Sequence, residues 1–155
     1  MPFLHPTGKI PRRVVMLAAG PSKKDWIDAC SSLAIAGGMP DEIWAINTIP
    51  RGVKCDVCFI MDDYHCFKGH HPQFAQWMET CDIPLITSVA HKACPSSVAY
   101  PLAEVLSMPG ARPFFNHAVA YMIAYAILIG VKEIDIFGAD YISTAAPYLT
   151  GFEEQ

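Results

Sequence analysis

Charge is scarce in this 155-residue chain, and its balance is acidic. Charged residues make up 17% of the sequence, and the formal net charge is −4. Because binding to a nucleic-acid backbone requires a basic surface, this composition argues against a nucleic-acid partner. The hydrophobic share of 52% argues against disorder and predicts one compact domain that buries a sizeable core.

Long apolar runs are also missing. The longest one covers Ala118 to Ile129, about twelve residues, whereas a helix that crosses a bilayer needs roughly twenty. The first thirteen residues lack the apolar core of a secretory signal. We therefore expect a cytoplasmic protein with no membrane partner.

Two glycine-rich signatures are absent as well. The dinucleotide fingerprint needs three glycines, and the segment Ala-Ala-Gly-Pro-Ser-Lys at 18–23 has one, so neither NAD nor FAD is expected. No Gly-Lys-Ser/Thr phosphate loop occurs, which disfavours a P-loop nucleoside triphosphatase.

The cysteines predict thiols and not a disulfide framework. A domain with this apolar content does not need disulfide bonds, so we expect all of them to be reduced. Cys55-x-x-Cys58 invites a zinc interpretation, but an odd offset of three along a strand would point the two thiols to opposite faces. Buried core thiols are the favoured interpretation of this pair. The six positions are Cys30, Cys55, Cys58, Cys66, Cys81 and Cys94.

Short apolar runs alternate with helix-compatible segments along the chain. The apolar runs predict strands at 14–17, 42–46, 57–61, 84–86 and 133–137, with an extra strand considered at 98–102. The helix-compatible segments predict helices at 25–36, at 72–80 and from a capping Asn116 to Ile129. The expected fold is α/β: a doubly wound, mainly parallel, Rossmann-like sheet of about five strands with helices on both faces. One domain would span 1–155, and a helix start at 151–155 leaves open that it is truncated at its C-terminus or completed by a partner.

Polar residues follow the predicted strands at the edge where such sheets bind ligands. We expect Gly20 to Lys24 either to hold a phosphate at the start of a helix or to form an ordinary turn with Ser22 as the cap. Asp62 and Asp63 are candidate Mg²⁺ ligands on a diphosphate, or else a solvated strand end or helix cap. The full set of rim residues is Gly20, Ser22, Asn47, Thr48, Asp62, Asp63, Ser88 and Asp140.

Two further groups of side chains have a functional and a structural interpretation. Histidines follow the third strand in a predicted loop, where one could act as a general acid or base or where all could be ordinary surface residues. These are His65, His70 and His71. Tyr121, Met122 and Tyr125 could line a base pocket, but their helical spacing favours core packing.

Two blocks of the sequence resemble a known Rossmann-like group. They are the strand followed by Gly20-Pro21-Ser22, and the stretch from Asn116 through Gly130 to the Lys-Glu-Ile-Asp-Ile-Phe-Gly-Ala-Asp segment that ends at Asp140. The group includes hydroxymethylpterin diphosphokinase-like proteins, motility accessory factors and bacterial sialyltransferases that use CMP-sialic acid. The resemblance covers about half of the chain.

The resemblance implies a nucleotide or nucleotide-sugar site. Gly20, Pro21, Ser22 and Lys23 would lie beside the phosphates and Asn47 beside a phosphate or the ribose, with Asn116 and Asp140 completing the set. Ala18-Ala19 replaces a Gly-Asn pair of the sialyltransferases, which removes an amide that those enzymes use on the nucleotide.

The function expected on these grounds is diphospho- or glycosyl-transfer, with Mg²⁺ as a candidate cofactor and with the catalytic residues unassigned. The alternative is a non-catalytic nucleotide-binding or scavenging module, or one subunit of a larger assembly. The late apolar helix, at 118–129, also suggests a homo-oligomer.

Overall fold

A computed structural model describes residues 4–35, 38–112 and 115–140 of the chain. The predicted helix start at 151–155, the last residue of the predicted helix at 25–36, and the glycine at 37 that was expected to help stop that helix lie outside the described residues. Among the described residues, no helix has both the length and the apolar character needed to span a membrane.

Strands and helices alternate through the described part of the chain. The strands are β1 (Arg13–Leu17), β2 (Glu42–Ile46), β3 (Val57–Ile60), β4 (Leu85–Thr87), β5 (Ser97–Ala99) and β6 (Glu133–Phe137). The helices are α1 (Lys23–Ile35), α2 (Tyr64–His70), α3 (Pro72–Thr80), α4 (Leu102–Leu106) and α5 (Ala118–Ile129), with a short 3-10 helix at Ile49–Arg51. The strands form one parallel sheet in the order β5-β4-β3-β2-β1-β6.

The predicted α/β fold with a parallel sheet is confirmed, with six strands where about five were expected. The sixth is the three-residue β5, which pairs with β4 at one end of the sheet and overlaps the extra strand considered at 98–102 at residues 98 and 99. The predicted bounds of β2, β6 and α3 are those of the structure. Helix α4 was not predicted, because five residues are too few to display a helical period.

Helices cover both faces of the sheet, as the neighbours of β3 show. Phe59 packs against Tyr125 of α5, with ring centroids 5.4 Å apart. Cys58 and Ile60 point the other way, into a cluster that includes residues of α2 and α3 such as Phe74. All four residues of β3 are therefore buried, which explains why the strand is a continuous apolar run and does not alternate with polar residues.

Candidate functional site

The direction in which strands are added to the sheet reverses once, at β1. The chain proceeds outward from β1 to β5 and then returns to the opposite side of β1 to form β6. Ligands of open parallel sheets bind at the carboxyl ends of the strands beside such a reversal. The structure brings three of the predicted rim residues together at this point: Gly20, Ser22 and Asp140.

The loops that follow β1 and β6 are bonded directly to each other. The Ser22 hydroxyl donates to Asp140 Oδ1 at 2.7 Å and accepts from the Gly138 amide at 2.9 Å. The Ser22 amide also donates to the Asp140 carboxylate, at 3.2 and 3.3 Å. The hydrogen bond from the Ser22 hydroxyl lowers the pKa of Asp140 because it stabilises the charged form. The hydroxyl that was predicted to cap α1 therefore bridges to the β6 loop, from the position just before the helix.

Both glycines at this junction are needed for packing within the chain. A Cβ atom on Gly20 would lie 2.4 Å from Asp140 Oδ1 and 2.5 Å from the Gly138 carbonyl oxygen. A Cβ atom on Gly138 would lie 2.2 Å from the carbonyl oxygen of Ala18, and Gly138 has a φ of +77°. The close approach that the sequence suggested for a ligand at Gly20 is made here by the β6 loop.

A phosphate at this turn would meet a negative charge that is already in place. Asp140 holds the Ser22 amide just before α1, which begins at Lys23. Pro21 is exposed and Lys23 is half-buried. A phosphate site at Gly20 to Lys23 stays a prediction, and Asp140 is the group that such a ligand would have to displace.

A cavity of about 390 Å³ lies at the carboxyl ends of β2 and β3, against the start of α5. Its polar lining includes Asn47, Asp62 and His117, and its aromatic lining is Phe115 and Tyr121, whose ring centroids are 4.8 Å apart. The structure therefore brings together two predicted site residues, Asn47 and Asp62, that lie fifteen positions apart in the sequence. We call this space the aromatic cavity.

Asn47 is the most unusual residue of the aromatic cavity. It is the single described residue other than glycine with a positive φ, 49°, a conformation that asparagine tolerates better than most residues. Its side-chain oxygen is buried, and within the described residues no group donates a hydrogen bond to it. An unpaired buried acceptor costs about 1–3 kcal/mol, so a donor from a ligand or an ordered water would offset that cost.

The two adjacent aspartates have different environments. Asp63 caps α2, because its Oδ1 atom accepts from the His65 amide at 2.6 Å, which matches the helix-cap alternative for this residue. Asp62 is exposed and lines the aromatic cavity. Over the ranges that the structure describes, no group of three or more His, Cys, Asp or Glu residues is placed to hold a metal ion. A Mg²⁺ ion at Asp62 would therefore need ligand oxygens to complete its coordination.

The cap of α5 lies one residue later than predicted. His117, and not Asn116, is the N-cap residue, and its Nδ1 atom accepts from the Ala120 amide at 3.3 Å. Asn116 is exposed and is not among the residues that line the aromatic cavity. The prediction of Asn116 as the cap is wrong, because cap preferences rank asparagine high and do not foresee an imidazole in that role. The helix ends at Gly130, with a φ of 88°, as predicted.

The histidines after β3 do not lie in a loop. His65 and His70 belong to α2, and His71 joins α2 to α3, so the predicted loop is wrong at these positions. Helix α2 follows from the cap at Asp63. That cap was considered from the sequence, but no helix was predicted after it. His65 Nε2 lies 3.2 Å from Nε2 of His91, on the loop before β5.

A buried polar cluster lies at the amino end of β2, far along the strand from Asn47. Glu42 accepts hydrogen bonds from His5 Nε2 at 2.8 Å, from Trp44 Nε1 at 2.7 Å and from the Thr7 hydroxyl at 2.6 Å. His5 Nδ1 lies 2.8 Å from the Tyr125 hydroxyl oxygen. Burial raises the pKa of Glu42, but these hydrogen bonds outweigh it and the net shift is downward. The cluster connects the N-terminal segment to β2 and α5 through these hydrogen bonds. It was not predicted from the sequence.

All six cysteines are free, as predicted. Burial raises the pKa of Cys55 to about 12 and raises that of Cys58 well above the ordinary value for a thiol. Since the thiolate is the form that binds metals and attacks electrophiles, neither residue is suited to those tasks.

Part of the cavity lining was not predicted from the sequence. Met122 and Tyr125 are fully buried, as the packing interpretation predicted, but Tyr121 on the same helix is half-buried and lines the cavity. Phe115 and His117 reach the cavity just before α5. The aromatic residues at 114, 115 and 121 around a helix start were the available signal, and periodicity alone assigned Tyr121 to the core.

Comparison of the chain with protein-family models, with curated proteins and with solved structures finds no significant match. The resemblance to the diphosphokinase-like and sialyltransferase group therefore stays a prediction.

Proposed function

We propose that this chain binds a nucleotide or a nucleotide-sugar at the carboxyl edge of β2 and β3, with the base or the sugar in the aromatic cavity. The observation that carries the proposal is the buried side-chain oxygen of Asn47, which has no donor among the described residues. A sugar hydroxyl or an exocyclic amino group of a base supplies such a donor.

The lining of the aromatic cavity supports this class of ligand. Phe115 and Tyr121 form an apolar wall against which a base or a sugar ring can pack, while Asn47 and Asp62 offer oxygen acceptors. The volume of about 390 Å³ lies within the usual range for small-molecule sites. An apolar wall with a few polar groups that fix orientation is typical of such sites.

The metal and phosphate parts of the proposal rest on separate residues. Mg²⁺, if it is required, would bind at Asp62 together with phosphate oxygens and water, since Asp63 is engaged in capping α2. The phosphate position implied by the resemblance, at Gly20 to Lys23, requires Asp140 to release the Ser22 amide.

Diphospho- or glycosyl-transfer is proposed on the resemblance alone, and its catalysis would consist of positioning and charge neutralisation. A non-catalytic binding module that assembles with other subunits is the second candidate. The observation that favours it is the exposure of large apolar side chains on α4 and α5: Leu102, Leu106 and Ile127. Sedimentation shows whether the chain assembles, and an assay for the transfer product shows whether it is catalytic, so the two measurements separate the candidates.

A cytoplasmic location stays a prediction from the sequence.

Calorimetric titration with ATP, GTP, CMP and CMP-sialic acid, each with and without Mg²⁺, tests the proposal. The informative variant is Asn47→Gly, because glycine accepts the positive φ of this position while the amide is removed. Gln76→Ala is the control, since it removes a side-chain amide from an exposed position on α3 outside the cavity lining.

We expect Asn47→Gly to weaken binding of the best ligand by about tenfold or more, which is the loss of roughly one hydrogen bond. Gln76→Ala should bind like the parent protein. Equal affinities for the parent protein and both variants would remove Asn47 from the site. If no compound in the panel binds, the proposal of a nucleotide site fails.

A further inference from the structure

A second cavity, of about 520 Å³, lies on the other side of Asn47. It is formed by the 3-10 helix after β2 and by the junction of α2 and α3. Its rim includes Arg51, His70 and His71, and the apolar side chains of Phe67 and Phe74 contribute to its lining. We call it the basic cavity.

The basic cavity carries positive charge in an acidic protein. Among the described residues that line it there is no aspartate or glutamate, although the chain as a whole has a formal charge of −4. In the described ranges, the arginine ion pairs are those of Arg12 with Glu133 and of Arg13 with Asp135. The Arg51 guanidinium forms no ion pair with a described carboxylate, so none of these carboxylates neutralises its charge.

Neutral donors complete the lining on the same side. The hydroxyl of Thr48 and the side-chain amide of Gln73 line the cavity next to the charged groups. Gln73 is in the first turn of the nine-residue helix α3, and the N-cap residue His71 makes no side-chain capping bond there. Pro72 has no N–H, and the Phe74 and Ala75 amides donate to the His71 carbonyl oxygen at 2.9 and 3.1 Å. The start of α3 therefore contributes mainly through the positive end of its helix dipole, which adds to the charge of Arg51.

We infer that the basic cavity is an oxyanion subsite that binds a phosphate or diphosphate group. Its principal partner is Arg51, whose planar guanidinium suits two oxygens of one phosphate, and His70 and His71 supply further donors. Asn47 lines both cavities, so one ligand can place its base or sugar in the aromatic cavity and its phosphates in the basic cavity. That joint occupancy rests on the proposed function, whereas the anion subsite does not.

The probe for the subsite is inorganic pyrophosphate, titrated calorimetrically into the full chain. The test variants are Arg51→Gln and His70→Gln, both at exposed positions on the rim, and Lys92→Gln is the control because it removes one positive charge from an exposed loop outside the cavity. Far-ultraviolet circular dichroism confirms that each variant is folded. We expect Arg51→Gln to weaken pyrophosphate binding by about tenfold or more, His70→Gln to weaken it less, and Lys92→Gln to bind like the parent protein.

Equal effects of Arg51→Gln and Lys92→Gln would overturn the inference, since only the net charge would then matter. The turn after β1 is the rival position: if Asp140→Asn strengthens pyrophosphate binding while Arg51→Gln has no effect, the anion binds there. If pyrophosphate binding depends on Arg51 but nucleotides bind no better than pyrophosphate, the subsite stands and the proposed nucleotide site fails. If nucleosides bind and phosphates add no affinity, the aromatic cavity stands and the subsite fails.

Discussion

Glu42 anchors the buried polar cluster at the amino end of β2, and its replacement should separate stability from ligand binding. In Glu42→Leu, the N–H groups of His5 and Trp44 lose their acceptor in a buried environment. Each unpaired buried donor costs about 1–3 kcal/mol, so together they predict a loss of about 2–6 kcal/mol. That is a large fraction of the 5–15 kcal/mol that stabilises a typical domain.

Glu42→Gln should be far milder, because the amide oxygen can still accept from His5 and Trp44 while its NH₂ group faces the Thr7 hydroxyl. We expect a loss of about 1 kcal/mol, from replacing charge-assisted hydrogen bonds with neutral ones. Glu104→Gln, on the exposed surface of α4, is the matched control and should change stability by less than about 0.5 kcal/mol.

The effect of Glu42 depends on pH in a defined direction. Its pKa is lower in the folded chain than the value of about 4.3 expected when unfolded, so its charge stabilises the fold above that value. The stabilisation is lost as the pH falls through the folded-state pKa. The difference between the parent protein and Glu42→Gln should therefore be present at neutral pH and shrink as the pH falls below about 4.3.

Urea unfolding followed by tryptophan fluorescence measures these differences, since Trp26 and Trp44 are almost fully buried. A loss below about 1 kcal/mol in Glu42→Leu, with an unchanged m-value, would refute the inference that the cluster is a strongly coupled buried network. Ligand affinities of folded Glu42→Gln should equal those of the parent protein, because the cluster lies at the opposite end of β2 from Asn47.

Two further predictions follow from the junction of β1 with β6 and from the thiols. Gly138→Ala should lower the free energy of unfolding, measured by heat or urea, by more than about 2 kcal/mol, because a Cβ atom there meets the Ala18 carbonyl oxygen. Gly110→Ala is the control: Gly110 also has a positive φ but has open space around it, so the loss should be about 1 kcal/mol. Equal losses in the two variants would contradict the contact at Gly138. Ellman's reagent should label Cys66 in the native protein and leave Cys58 unlabelled until the protein unfolds. Cys66 is exposed, whereas burial raises the pKa of Cys58. Labelling of Cys58 in the native protein, identified by mass spectrometry, would show that β3 opens easily.

The fold was predictable because the strands β1 to β4 are largely buried. A run such as Val57–Ile60 is apolar at every position, and its length and flanking polar residues identify a central parallel strand without reference to any partner. Helix α3 was placed correctly because proline marks its first turn and apolar residues recur along one side. Helix α2 was missed because Asp63 could equally end a strand or cap a helix, and the backbone geometry decides between these two roles.

The site was predictable only in part, because strand order is a property of the folded chain. The rule that polar residues gather at carboxyl ends singled out Asn47 and Asp62, and the structure places both in the lining of the aromatic cavity. It could not reveal that β6 returns beside β1 and delivers Asp140 to Ser22, since that pairing joins positions 118 residues apart. Arg51 was not singled out for a similar reason: an isolated arginine in a loop has no pattern until α2 and α3 close a cavity around it.

The turn at Gly20 shows why one motif supports two opposite interpretations. A glycine and a serine between a strand and a helix allow something negatively charged to approach closely, and the chemistry of the turn is the same whether that group is a phosphate or a carboxylate of the chain. Here the carboxylate of Asp140 approaches. Asn47 differs in that no described group donates to its buried side-chain oxygen, so a ligand can supply that donor. That contrast is why the proposed site centres on Asn47 and not on the turn after β1.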